Sequence, residues 1–106
     1  MSLLIVFTTV GNEADARRLA EIALAKRLTA CVHIDSIESL YEWQGSMVNE
    51  REWRIAFKTD AAHCTMLQSV LAEHHPYDIP AIYAVSAVHV AAPFAQWLGS
   101  TLCEKP

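Results

Sequence analysis

The spacing of hydrophobic residues predicts a strand and then a helix at the start of this 106-residue chain. The run from Leu3 to Thr9 is short and apolar, which predicts a first strand. Gly11 and Asn12 end that strand, and apolar residues then recur at helical spacing as far as about Leu28. Because charged residues occupy the other side of this segment, the pattern indicates an amphipathic helix.

A period of two begins at Cys31 and predicts a long β-hairpin. Its arms span residues 30–44 and 46–59, and the turn lies between them at a Gln-Gly pair. The apolar phase of the first arm shifts by one residue near Asp35 and Ser36. Because a bulge inserts one extra residue into a strand, we expect a β-bulge at that point.

The rest of the chain predicts a helix, a strand and a final helix. Asp60 caps the second helix and Pro76 stops it, while a last strand is predicted over 81–88 and a terminal helix over 93–102. The order βαββαβ plus one helix is typical of an α+β ferredoxin-like fold, a four-stranded antiparallel sheet with its helices on one face. The length predicts a single domain over residues 1–106.

Apolar residues on both faces of the first strand predict self-association. Leu3, Ile5 and Phe7 alternate with Leu4 and Val6, so neither face of this strand is polar. Each hairpin arm can extend roughly 45 Å, about 20 Å beyond the first strand, at about 3.3 Å per residue. We therefore expect a closed symmetric oligomer that covers the second sheet face and the overhanging hairpin.

Composition narrows the possible partners. Hydrophobic residues make up 53% of the chain and its formal net charge is -4, which disfavours a nucleic-acid binder because such a protein needs a basic face. No apolar run is long enough to cross a membrane, and the N-terminus lacks a basic targeting region. Three widely spaced cysteines form no disulfide framework. These features together predict a cytoplasmic protein with no membrane partner.

The segment from His74 to Pro80 is the clearest candidate for chemistry. Pro76 and Pro80 stiffen it, and neighbouring neutral imidazoles suit transition metals such as copper. His74 and His75 are therefore candidate metal ligands, and Tyr77 and Asp78 are candidates to orient them. The structural alternative is that both histidines simply occupy a helix C-terminus, where a positive charge is favourable.

Three segments resemble those of the CutA divalent-cation-tolerance family. They are Leu40 to Gly45 at the hairpin tip, Lys58-Thr59 after the third strand, and His74 to Pro80. The resemblance runs from about residue 3 to 100. It implies a ferredoxin-like homotrimer that contributes to tolerance of divalent metal ions and binds copper, and it implies no established catalytic reaction, so we predict that the protein is not an enzyme.

The chain departs from the family pattern at two positions. Copper-binding relatives carry a cysteine near the end of the first strand, where this chain has Thr8, and a glutamate after the second proline, where it has Ala81. A thiolate is the donor that holds Cu(I) best. Of the metal ligands that the resemblance implies, only His74 and His75 are therefore present, and we expect copper to bind weakly at an incomplete site.

Other functions are known on the same architecture. A trimeric small-molecule sensor similar to the PII signalling proteins is the strongest alternative, although the chain has no Gly-rich phosphate loop. An RNA-binding module is disfavoured by the acidic charge. A metallochaperone is disfavoured because no Cys-x-x-Cys motif follows the first strand.

Overall fold

The computed structural model describes residues 2–103, which form one four-stranded sheet and three helices. The strands are β1 (Leu4–Val10), β2 (Cys31–Trp43), β3 (Ser46–Thr59) and β4 (Ile82–Ser86), and the helices are α1 (Glu13–Ala25), α2 (Ala61–His74) and α3 (Ala92–Cys103). The strand order is β2-β3-β1-β4 and neighbouring strands are antiparallel. The predicted α+β ferredoxin-like arrangement is therefore confirmed.

The main core lies between one sheet face and helices α1 and α2. Val6 and Phe57 from the sheet are fully buried against Leu19 of α1 and Leu67 of α2. Helices α1 and α2 both begin at a side-chain cap, as Asn12 accepts from the Asp15 N–H and Asp60 accepts from the His63 N–H. The caps fix where each helix starts, and the apolar stripe then fixes which side faces the sheet.

The third helix lies on the opposite sheet face, which corrects the expectation that all helices share one face. Leu98 and Leu102 of α3 are buried against Leu3, and Ile5 packs on the edge of this second cluster. The helix covers only one end of that face. Farther along, Phe7 stacks on Tyr83 across paired strands with ring centroids 5.5 Å apart, and Tyr83 stays 53% exposed.

Helix α1 ends three residues earlier than the sequence predicts. Arg27 adopts a left-handed φ of 56°, and the N–H groups of Arg27 and Leu28 donate to the carbonyls of Leu24 and Ala23. These two bonds form a Schellman motif, which usually has glycine at the left-handed position. Because arginine occupies this position, the sequence contained no glycine to indicate that the helix ends here.

The prediction of a β-bulge near Asp35 and Ser36 is wrong. The β2–β3 pairing keeps one register from Cys31 opposite Lys58 to Trp43 opposite Ser46. The shift in apolar phase instead marks the point where the hairpin leaves the core, because Val32 and Ile34 pack on the main core whereas Ile37, on the new phase, is not part of it. Strand β4 is also shorter than the predicted 81–88.

The hairpin closes with the predicted two-residue turn. Gln44 and Gly45 have φ values of 51° and 82°, which is the type I′ geometry that matches the twist of paired strands. Trp43 and Met47 beside the turn are 56% and 79% exposed. Within residues 2–103, no helix is both long and apolar enough to span a membrane.

Candidate functional site

His75 is held by hydrogen bonds at both ring nitrogens. It follows the last residue of α2 with extended backbone, φ -73° and ψ 138°, as expected for a residue before proline. The Tyr77 N–H donates to Nδ1 at 3.1 Å, so a neutral ring carries its proton on Nε2, which lies 2.9 Å from the Thr8 Oγ1. Burial lowers the pKa of His75, which favours this neutral form.

Thr8, the first of the two departures from the family pattern, lies directly beside the candidate metal ligand His75. It is 1% exposed and its hydroxyl contacts His75 directly. The position where the resemblance to CutA implies a cysteine in copper-binding relatives is therefore adjacent to this imidazole in space. In this chain that position offers a neutral hydroxyl, which is a poor donor for a soft metal ion.

His74 is half-buried at the end of α2, and its carbonyl accepts from the Arg18 guanidinium at 3.0 Å. No group of three or more His, Cys, Asp or Glu side chains that could hold a metal ion occurs in the described part of the chain. Metal binding through His74 and His75 stays a prediction.

Tyr77 has two roles in this segment. Its backbone N–H fixes the His75 ring, and the two ring centroids lie 5.1 Å apart. Its hydroxyl points elsewhere and donates to the Glu52 carboxylate at 2.8 Å. Tyr77 thus positions the imidazole, as the sequence suggested, and also joins the segment to the hairpin.

Glu52 is the site residue that the sequence did not reveal. Strand alternation predicts it on a wet face, yet it is only 7% exposed. Its carboxylate accepts from the Ser39 hydroxyl at 2.7 Å and from Tyr77. The missing signal is tertiary, because Tyr77 reaches Glu52 from a loop that follows α2.

An open cleft of about 680 Å³ lies between the hairpin and the proline-flanked segment. It is lined by Thr9, Tyr41, Trp43, Glu50, Glu52, Tyr77, Asp78, Ile79 and Ala81. This set combines carboxylates with aromatic rings and includes no basic residue. Ala81, the second departure from the family pattern, lies in the cleft wall, whereas Thr8 lies at His75. The two departures therefore affect different places.

The tyrosines in the cleft are bound to its carboxylates. The Tyr41 hydroxyl donates to Glu50 at 2.6 Å, and this bond raises the pKa of Tyr41. Burial, followed by the hydrogen bond to Glu52, raises the pKa of Tyr77 well above its usual value. Both shifts show that the cleft disfavours additional negative charge.

These features define a class of protein: a ferredoxin-like domain with a long hairpin and a cleft lined by acidic and aromatic residues. The model of the CutA1 divalent ion tolerance protein family matches residues 4–101. The divalent-cation tolerance protein CutA of Thermotoga maritima is 34% identical over 96 residues, which cover 91% of this chain and 95% of that protein. The chain therefore belongs to the CutA1 family.

Solved structures agree with this assignment. CutA from Synechococcus elongatus superposes with a TM-score of 0.92 at 36% identity, covering 95% of this chain and 90% of that one. A second structure of that protein, complexed with a Bis-Tris molecule, gives 0.87 at 33% identity over 94% and 93% of the two chains. A structure from Archaeoglobus fulgidus, described as periplasmic, gives 0.90 at 26% identity over 94% and 98%.

Proposed function

We propose that this protein contributes to tolerance of divalent metal ions, copper among them, as a cytoplasmic homotrimer without catalytic activity. The observation that carries the proposal is the family match over residues 4–101. One similar structure is described as periplasmic, so cell fractionation tests the location directly. Recovery with the periplasmic fraction would contradict the cytoplasmic part.

The proposed trimer is supported by surfaces that are apolar yet uncovered. Tyr83 and Val85 on β4 are exposed on the sheet face that α3 leaves open, and Leu40, Trp43 and Met47 are exposed on the hairpin. Such surfaces usually lie against another chain. A closed ring of copies would cover both, and the resemblance to CutA gives the number three.

The proposed copper site is His74 and His75, and its binding is weak. A metal ion at Nε2 of His75 has to replace the proton shared with Thr8, and rotating the ring instead breaks the bond from the Tyr77 N–H. The chain supplies no thiolate at that point. A site of two imidazoles is left to be completed by water or by another subunit.

Calorimetric titration with Cu(II) tests this site. We expect weak binding to the wild type and none at this site in a variant that combines His74→Ala with His75→Ala. His89→Ala, which removes an exposed imidazole far along the chain, is the matched control. One tight site per chain that survives the double substitution would refute the assignment.

The cleft favours a second candidate function, the binding of a small molecule, as in a PII-like sensor. Its volume of about 680 Å³ suits a small ligand. The Synechococcus elongatus relative is described in complex with Bis-Tris, an organic molecule of that size class. Thermal unfolding in the presence of nucleotides, amines and carboxylates tests this function, and a uniform absence of any shift would contradict it.

A further inference from the structure

We propose that the cleft binds a small organic ammonium compound that carries hydroxyl groups, with the Glu52 carboxylate as its counter-ion. This inference rests on the second proposed function, small-molecule binding in the cleft, and names the chemical class of the ligand. Four observations carry it: the burial of Glu52, the absence of neighbouring cations, the aromatic walls and the hydrogen-bond inventory of the tyrosines.

Glu52 is a buried carboxylate without a cationic partner in the described residues. It is 7% exposed and accepts from two neutral hydroxyls, those of Ser39 and Tyr77. Buried carboxylates are normally paired with a cation, because removing a charge from water is costly. The ion pairs found within residues 2–103 do not involve Glu52, Glu50 or Asp78.

The nearest arginines along the strand are already engaged elsewhere. Arg54 forms an ion pair of 2.9 Å with Asp35, and Arg51 donates to the Ser36 hydroxyl. Neither lines the cleft. A cation that enters the cleft would therefore meet negative charge that the chain leaves uncompensated.

An organic cation fits this cleft better than a metal ion. The residues 2–103 offer no group of three or more ligating side chains close enough to hold a metal, and a hard divalent cation needs several oxygen ligands around one point. The carboxylates instead line a cleft of about 680 Å³. The rings of Tyr41, Trp43 and Tyr77 supply faces on which an alkylammonium group binds through cation–π attraction.

The tyrosine hydroxyls determine which polar groups the ligand carries. The Tyr41 hydroxyl gives its proton to Glu50 and the Tyr77 hydroxyl gives its proton to Glu52. A hydroxyl that has used its one proton can only accept further bonds, and a carboxylate only accepts. The cleft is therefore rich in acceptors, and it favours ligands with several N–H and O–H donors.

Calorimetry with two matched probes tests the inference. Bis-Tris is a tertiary amine that carries several hydroxyl groups, and pentaerythritol is a compact polyol that carries several hydroxymethyl groups but no nitrogen. At a pH where the amine is protonated, we expect Bis-Tris to bind and pentaerythritol not to bind. Equal binding of both, or saturation by Bis-Tris only above about 10 mM, would overturn the inference.

Variants locate the binding site. Glu52→Gln removes the charge with little change in shape and should weaken Bis-Tris binding at least about tenfold. Glu38→Gln, at an exposed position on the other face of the same hairpin, should leave it unchanged. Glu50→Gln removes the other carboxylate charge that the hairpin contributes to the cleft wall, and it provides the same test if Glu52→Gln does not fold. Undiminished binding in both folded variants would contradict the proposal.

The outcomes separate this inference from the function on which it rests. If neutral or anionic compounds bind in the cleft and ammonium compounds do not, only the ligand class is wrong. If no organic compound of any charge binds, the small-molecule function fails as well.

Discussion

The Tyr77 hydroxyl donates to the Glu52 carboxylate at 2.8 Å and thereby joins the proline-flanked segment to the hairpin. Replacing Tyr77 by Phe removes this donor and leaves a buried carboxylate with Ser39 as its remaining partner. We expect the free energy of unfolding to fall by about 1–3 kcal/mol. Urea unfolding at fixed chain concentration measures the change. Ser100→Ala, which removes an exposed hydroxyl on α3, is the control and should change stability little.

The raised pKa of Tyr77 predicts a loss of stability in alkali. Because burial and Glu52 raise the pKa in the folded state above its ordinary 10.0, the unfolded chain loses the phenolic proton first. The stabilising effect is therefore complete below about pH 10 and is lost as the pH rises further. Unfolding measured from pH 9 to 11 should show a steeper loss in the wild type than in Tyr77→Phe. Parallel curves would refute this.

The contact between Thr8 and His75 predicts how copper affinity can be raised. In Thr8→Cys a thiol takes the place of the hydroxyl that lies 2.9 Å from Nε2. Because a thiolate is a strong donor for Cu(I), we expect binding at least about tenfold tighter than in the wild type. Competition with a chromogenic Cu(I) chelator measures this. Ser100→Cys adds an exposed thiol on α3, and equal affinity in the two variants would argue against a site at His75.

The end of α1 predicts a stabilising substitution. Arg27 holds a left-handed φ of 56°, which costs an L-residue with a side chain about 1 kcal/mol. Arg27→Gly should raise the free energy of unfolding by about 0.5 kcal/mol, because glycine avoids this strain but adds freedom to the unfolded chain. Lys26→Gly, at a φ of -86°, should lower it. Urea unfolding midpoints at fixed chain concentration measure both changes. A lower midpoint for Arg27→Gly than for the wild type would contradict the explanation that Arg27 is strained.

The order of elements was predictable from the sequence because it depends on local signals. Caps at Asn12 and Asp60, the hairpin turn and Pro76 each act within a few residues. The end of α1 was missed because Arg27 occupies a position where glycine is the usual signal. The bulge was predicted wrongly because the change in apolar phase reflects what covers each face rather than the path of the strand.

The candidate site was predictable only in part. The histidines stood out because two of them precede a proline, and the contact between Thr8 and His75 follows from the fold. Glu52 gave no signal, because its burial depends on Ser39 across the hairpin and on Tyr77 from a distant loop. The cleft is likewise a product of the tertiary arrangement, since its walls come from several separate segments.

The proposed homotrimer would cover apolar surfaces that a single chain leaves exposed. Phe7, Tyr83 and Val85 share the sheet face that α3 leaves uncovered, and Trp43 is exposed near the hairpin tip. Val85→Glu should weaken assembly, because it places a charge on this face. Thr65→Glu, which adds the same charge at an exposed position of α2, should not.

Light scattering coupled to size-exclusion chromatography at micromolar concentration is the most direct test. A homotrimer predicts a single species with three times the 11.8 kDa mass of the chain. A soluble species with the mass of one chain would contradict it.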